Sequence, residues 1–232
     1  SHEIKMYGEI KLYGGTGSPE LAQKIADYLQ QKLSPREVIQ FPNENIFVKL
    51  NSSARGQDVY VIQTTSSPVH YNLMELLIMI QTIRLDSAAR TTAVIPYLCY
   101  GRSDKKDQPR VPITARLVAD MIESAGADRY MTFDPHAGQI QGFFNIPVDN
   151  LFAAPVILDY FRRKQLQDLV VISPDAGGVE RARAEARRHA DLAVQSLRGA
   201  ALQPAAQLAV QPRAARNVRA EPIAARGTRP AS

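Results

Sequence analysis

Three stretches of this sequence hold residue types able to do chemistry on a charged ligand. The first, "YLCYGRSDKKDQPR" (97–110), carries Arg102, Lys105, Lys106 and Arg110 together with Asp104 and Asp107. Guanidinium and ammonium groups gathered in one loop can neutralise several phosphate oxygens together. The second, "DPHAG" (134–138), puts His136 two residues after Asp134. A neutral imidazole can ligate a metal or hold a water of a hard cation's shell. The third, "VVISPDAGG" (170–178), sets Asp175 directly before Ala176, Gly177 and Gly178. Glycines let a backbone approach a ligand closely, and a following helix N-terminus offers free N–H groups to an anion. A carboxylate there can share Mg²⁺ with phosphate oxygens. Each stretch also has a plainer reading. The cationic loop can be a solvated charge run with internal ion pairs, His136 a structural histidine, and Asp175 a helix cap. The chain has no G-x-x-x-x-G-K-[ST] motif and no G-x-G-x-x-G motif, so phosphate chemistry here would use a different scaffold.

All three stretches follow short β-rich runs, "TTAVIP", "RYMTFD" and "DLVVIS". Further strands are predicted from "EIKLYGG", from "EVIQF" and "IFVKL" as a hairpin-like pair or two edge strands around Pro42–Asn45, from "DVYVIQT", and from "DLAVQ". Helices are predicted between them. The first has Ser18 as N-cap, Pro19 at its first position, and Leu21, Ile25, Tyr28 and Leu29 on one face. The second, "YNLMELLIMIQTIRL", sets Leu73, Leu76, Leu77, Ile80 and Ile83 at helical spacing. Others are "ITARLVADMIESAGA" ending near Gly126, a short helix through "GQIQGFF", "APVILDYFRRKQL", and "GGVERARAEARRH". Strands alternating with helices of this length predict an α/β fold, a mostly parallel sheet with helices on both faces. Ligands of such sheets bind beyond the carboxyl ends of the strands, where the three stretches fall.

From about residue 196 the alternation stops. Residues 196–232 contain no aromatic residue and no Lys, and hold six Arg against one Glu. The whole excess of +5 charges lies there, and residues 1–195 are balanced. Such a segment cannot supply a core, and a disordered Ala/Arg/Pro-rich tail is expected. A natural low-complexity tail competes with an out-of-frame or truncated product as its origin, and the second is favoured. The neutral body gives no electrostatic footprint for nucleic acid. Cys99 is alone, which rules out an internal disulfide and points to a reducing cytoplasm. No apolar run reaches the length of a membrane span, and no signal peptide is legible at the N-terminus.

The strings "NLMELLIMI", "TAVIPYLCYGRSDKKD", "RVPITARLVADMI", "GADRYMTFDPHAGQIQGFF" and "VVISPDAGGVERAR", in this order, resemble the N-terminal half of ribose-phosphate pyrophosphokinase over about residues 9–195. The resemblance implies a phosphoribosyltransferase-like domain at 1–195, followed by the 196–232 tail. It implies transfer of the diphosphoryl group of Mg-ATP to ribose 5-phosphate, giving phosphoribosyl pyrophosphate and AMP for nucleotide biosynthesis. Carried over residue by residue, it implies ATP binding at Phe41, Asn43, Arg102 and Ser103, and Mg²⁺ at His136 and Asp175. It also implies a ribose-phosphate side at Asp175, Ala176, Gly177 and Gly178, and a regulatory phosphate at Arg55 and Arg110. A cytoplasmic homo-oligomer, a hexamer built from dimers, is implied as well.

Two positions depart from the family pattern: Asn45 where Glu is usual, and Ser103 where Gln is common. The family's Lys/Arg flexible loop and its Asp-Asp phosphate cradle have no counterpart, for no Asp-Asp pair occurs and no Lys follows Lys164. Little or no activity is therefore expected of this chain alone. The alternative is a non-catalytic regulatory partner of a full-length synthetase.

Overall fold

A computed structural model describes residues 8–164 of the chain. Seven strands and four helices alternate along it. They are β1 (Ile10–Gly14), α1 (Pro19–Tyr28), β2 (Arg36–Gln40), β3 (Ile46–Leu50), β4 (Asp58–Ile62) and α2 (Val69–Leu85). These are followed by β5 (Arg90–Val94), α3 (Thr114–Ala125), β6 (Arg129–Phe133), a 3₁₀ helix (Gly138–Phe143), β7 (Val148–Leu151) and α4 (Ala154–Arg163). Five strands form one all-parallel sheet in the order β1-β4-β5-β6-β7. β2 and β3 pair antiparallel as a separate hairpin, with Gln40 opposite Ile46.

Both sheet faces are covered, because alternate residues of each strand point opposite ways. On one face Tyr13, Val59, Val61, Ala93 and Tyr130 join α2 and α3 in the main core. On the other, Ile62 and Val94 pack with Ala22 of α1, flanked by Ile25, Leu33, Tyr60 and Met131. The α/β class and the helices on both faces are as predicted. In α2 the five residues at helical spacing, Leu73, Leu76, Leu77, Ile80 and Ile83, are all buried. Each such burial contributes roughly 1.5–3 kcal/mol. α3 ends where predicted, with Gly126 in the left-handed region (φ 112°) as its C-cap.

Two expectations are corrected. Of the apolar face read for α1, Leu21, Tyr28 and Leu29 are exposed, and Ala22 and Ala26 are the fully buried residues. The cause is close approach: a Cβ placed on Gly14 would lie 2.8 Å from the Ala22 Cβ. Only small side chains fit where the helix crosses β1. β7 was not anticipated, because its "VDNL" is short and polar, without a hydrophobic period, and it is an edge strand among the described residues. The strands expected in "DLVVIS" and "DLAVQ", the helix at 177–189, the Asp175–Gly178 loop and the 196–232 tail lie outside the described residues.

Candidate functional site

The carboxyl ends of β5 and β6 are brought together by their loops. After β5 the chain runs through Tyr97 and Tyr100 to Gly101, where it turns sharply. Tyr100 has φ 58°, and its carbonyl accepts the Ser103 N–H at 2.9 Å. Gly101 is buried against the β6 loop: a Cβ built on it would lie 3.3 Å from the Leu98 carbonyl oxygen and 3.6 Å from the His136 Cβ. Arg102, eight residues after β5, and His136, three residues after β6, therefore sit on neighbouring backbone.

A second tie lies one residue beyond Ser103. Asp104 is buried, and its Oδ2 accepts a 2.7 Å hydrogen bond from Gln139 Nε2 in the 3₁₀ helix that follows His136. Ser103 is anchored on its other side as well. Its carbonyl accepts the Ala115 N–H at 3.1 Å, and its Oγ lies 3.4 Å from Thr114 Oγ1, which joins it to the first turn of α3. The loop is thus fixed at Gly101, Ser103 and Asp104, and the Arg102 side chain points outward, exposed. Lys105, Lys106 and Arg110 are exposed too. Among the described residues none of these four cations makes an ion pair. Internal pairing does not hold the loop, whose one buried carboxylate is bonded to an amide instead. Arg110 adopts φ 66°, a conformation unusual for a side chain of its size.

Asp134 is a structural carboxylate. Its N–H donates to the Leu151 carbonyl and its Oδ2 accepts the Ala153 N–H, each at 3.0 Å, joining the carboxyl ends of β6 and β7. Cys99, next to the cationic loop, is buried, and burial pushes its thiol up. It stays protonated near neutral pH and serves as a small core residue rather than a nucleophile.

The remaining site candidates are elsewhere. Phe41 and Asn43 lie on the hairpin turn, where the Phe41 N–H donates to the Asn45 carbonyl (2.8 Å) and Asn43 Oδ1 accepts the Asn45 N–H (3.3 Å). Phe41 and Phe47 have ring centroids 6.3 Å apart. Among the described residues, neither Phe41 nor Asn43 bonds to the Arg102–His136 cluster. Arg55 is exposed in the turn before β4, beside Ser53 and Ala54, whose Oγ and N–H both donate to Asp86 Oδ2 at the end of α2. The structure thus brings Arg102, Ser103 and His136 together, and among the described residues none of Phe41, Asn43, Arg55 or Arg110 is hydrogen-bonded to their turn.

A buried polar cluster at the ends of β1 and β4 escaped sequence reasoning. Glu75 of α2 is fully buried, and its Oε1 accepts the Thr16 N–H at 2.8 Å. Its Oε2 accepts from Thr16 Oγ1 and from Gln63 Nε2, the latter at 3.0 Å. Gln63 Oε1 in turn accepts the Gly17 N–H at 2.9 Å. The available signal was a Glu inside an apolar helix stripe. This carboxylate fixes the Gly15–Gly17 turn and has its lone pairs engaged, so it is not available as a ligand.

Among the described residues no three His, Cys, Asp or Glu side chains cluster as a metal site. His136 is exposed and can supply one donor or hold a metal-bound water; the expected second ligand, Asp175, lies outside the described residues.

A parallel α/β sheet with a cationic loop, unpaired among the described residues, and an imidazole beyond adjacent strand ends belongs to the class that takes its ligand at that edge. The model of the N-terminal domain of ribose phosphate pyrophosphokinase matches residues 10–126, and the chain belongs to that family. It is 49% identical over 185 residues to a ribose-phosphate pyrophosphokinase of Vibrio cholerae, covering 79% of this chain and 59% of the relative. It is 50% identical over 188 residues to the one of Hyphomonas neptunium, covering 80% and 60%. The crystal structure of phosphoribosylpyrophosphate synthetase from Mycobacterium smegmatis superposes with a TM-score of 0.76 at 41% identity, over 78% of this chain and 61% of that one. The chain thus spans about three fifths of the length of these relatives. No helix among the described residues is long and apolar enough to cross a membrane.

Proposed function

We propose that this chain carries the nucleotide side of a ribose-phosphate diphosphokinase that makes phosphoribosyl pyrophosphate for nucleotide biosynthesis in the cytoplasm. The 1-hydroxyl oxygen of ribose 5-phosphate attacks the β-phosphorus of ATP. The bond from that phosphorus to the AMP oxygen breaks, AMP leaves, and the hydroxyl proton is released. The observation that carries this reading is the Arg102–Ser103 turn, braced next to His136 by Gly101 and by the Asp104–Gln139 hydrogen bond. A fixed cation is suited to phosphoryl transfer, which depends mainly on positioning and charge stabilisation. Arg102 would hold polyphosphate oxygens, with the Ser103 backbone setting its direction. His136 would hold Mg²⁺ or a water of its shell together with Asp175. When bound, Mg²⁺ would neutralise charge on the phosphate oxygens. Asp175 to Gly178 would face the sugar phosphate, Phe41 and Asn43 the adenine in an oligomer, and Arg55 and Arg110 a regulatory phosphate.

Residues 1–232 by themselves are proposed to turn over little, because the Asp-Asp cradle and the late Lys/Arg loop are missing from this sequence. The test is AMP release from ATP, Mg²⁺ and ribose 5-phosphate, run beside Mg-ATP binding by calorimetry. Binding with little turnover is expected. Robust turnover overturns the inactivity, and no Mg-ATP binding overturns the nucleotide role. Exposed apolar side chains on the hairpin, Ile39, Phe41 and Phe47, favour a second reading as a non-catalytic partner that co-assembles with a full-length synthetase. Gel filtration of the mixture, with no joint peak, would remove it.

A further inference from the structure

His70 stands in the first turn of α2, outside every role given above. Its Nε2 lies 2.7 Å from the Tyr100 hydroxyl, and the two rings are near parallel at 16° with centroids 6.3 Å apart. Both residues are exposed, so neither is held there by burial. Tyr100 is in the left-handed region (φ 58°), which an aromatic residue adopts only when its surroundings hold it there. Two interactions hold it: the Ser103 N–H on its carbonyl at 2.9 Å, and His70 on its hydroxyl. The next residue, Gly101, is the one packed 3.6 Å (as a built Cβ) from the His136 Cβ, and the one after that is Arg102. A rotation at Tyr100 would therefore carry Gly101 off His136 and swing Arg102.

We infer that His70 is a positioning residue: through Tyr100 it holds the left-handed turn that presents Arg102 beside His136. It touches no ligand itself, and its bond joins the first turn of α2 to the loop after β5, which Thr65 ties to the β4–α2 connection only as far as Tyr97 and Cys99 among the described residues. The inference rests on the nucleotide reading only for its effect on affinity; its effect on the turn stands apart from it.

The test uses the whole chain with His70→Ala, Tyr100→Phe, the double variant and His70→Gln, whose amide can still reach the phenol. Mg-ATP affinity is measured by calorimetry, and the Gly101, Arg102 and Ser103 amide resonances by NMR. Losing one hydrogen bond of ordinary strength predicts about a fivefold weaker Kd in each single variant. The double variant should be no weaker than either single one, and His70→Gln should recover most of the loss. The 101–103 resonances should move together in His70→Ala, with the rest of a dispersed spectrum and the melting temperature unchanged. A melting temperature that falls with no movement at 101–103 makes His70 merely structural and overturns the inference. So do unchanged resonances in both His70→Ala and Tyr100→Phe. If the unsubstituted chain does not bind Mg-ATP, the nucleotide reading fails, and the resonances alone decide whether His70 holds the turn.

Discussion

At the amino ends of β4 to β7 the cations are clasped. Arg90 donates from Nε (2.8 Å) and from Nη2 to the two carboxylate oxygens of Asp58, and its Nη2 also lies 3.2 Å from the Tyr60 hydroxyl. Arg129 grips Asp149 through two bonds in the same way, and Asp128 accepts the Thr91 N–H at 2.7 Å. At the carboxyl ends of the same sheet, Arg102, Lys105, Lys106 and Arg110 have no ion pair among the described residues, while the backbone under Arg102 is tied down at three points. The fork of a guanidinium is matched to a carboxylate at one edge and left open at the other. Charge at the amino edge is committed to strand register; at the carboxyl edge the backbone beside Arg102 is braced and its cations are unpaired among the described residues, the condition that favours binding an anion over stabilising the fold.

The largest way to break this comparison is at the amino edge. Asp58→Ala removes a carboxylate with a side-chain exposure of only 9% and takes from Arg90 both of its hydrogen bonds to Asp58. Breaking a buried pair costs about 3–5 kcal/mol, and the 23% exposure of Arg90 places this one lower, at about 2–3 kcal/mol. Urea unfolding should show that loss with Mg-ATP affinity unchanged. A loss under about 0.5 kcal/mol would put this pair among ordinary surface bridges. Arg102→Ala should do the reverse at the other edge. Stability should move by less than about 0.5 kcal/mol, since no hydrogen bond or ion pair reaches the side chain among the described residues. Mg-ATP affinity should fall roughly tenfold or more, the worth of one charge-assisted contact to phosphate. A stability loss without an affinity loss would erase the distinction between the two edges.

The same contrast explains what could be read in the sequence. Strand runs and the α2 stripe were legible because burial imposes a period, and Leu73, Leu76, Leu77, Ile80 and Ile83 obey it. The α1 face was misread because the rule that large apolar residues point inward gives way where two backbones approach. Gly14 and Ala22 leave no room for Leu21, Tyr28 or Leu29 beneath the helix. In the site, residue types were legible: Arg102 and His136 stood out as chemistry at strand ends, while Ser103 entered only through the family resemblance. Their bracing was not, because Asp104 with Gln139, and His70 with Tyr100, are pairs 35 and 30 residues apart that only the folded sheet brings together. Glu75 was hidden for the same reason. Its partners Thr16 and Gln63 are 59 and 12 residues away, and a lone acid in an apolar stripe does not say which donors it satisfies.

The smallest effect sharpens the comparison through pH. The Arg129 guanidinium, bonded to Asp149, holds that carboxyl below the usual carboxylate range, with its positive charge adding to the bond and partial burial opposing it. The same pairing pushes Arg129 up. A carboxyl that is more acidic in the folded chain stabilises the fold fully above its unfolded value, about 4, and loses that contribution as pH falls through its lower folded value. The folded chain should therefore lose stability below about pH 4 partly through this pair. Asp149→Asn should flatten that acid limb and cost little at pH 7. Side-chain exposures of 36% for Arg129 and 28% for Asp149 keep the solvent-screened contribution to no more than about 1 kcal/mol. Urea midpoints measured from pH 7 down to about pH 3 decide it. Arg102→Ala serves as the control, since Arg102 makes no ion pair among the described residues, and its acid limb should overlay that of the unsubstituted chain. If Asp149→Asn overlays it too, the amino-edge pair holds register without sensing acid, and the difference between the edges is one of geometry rather than charge.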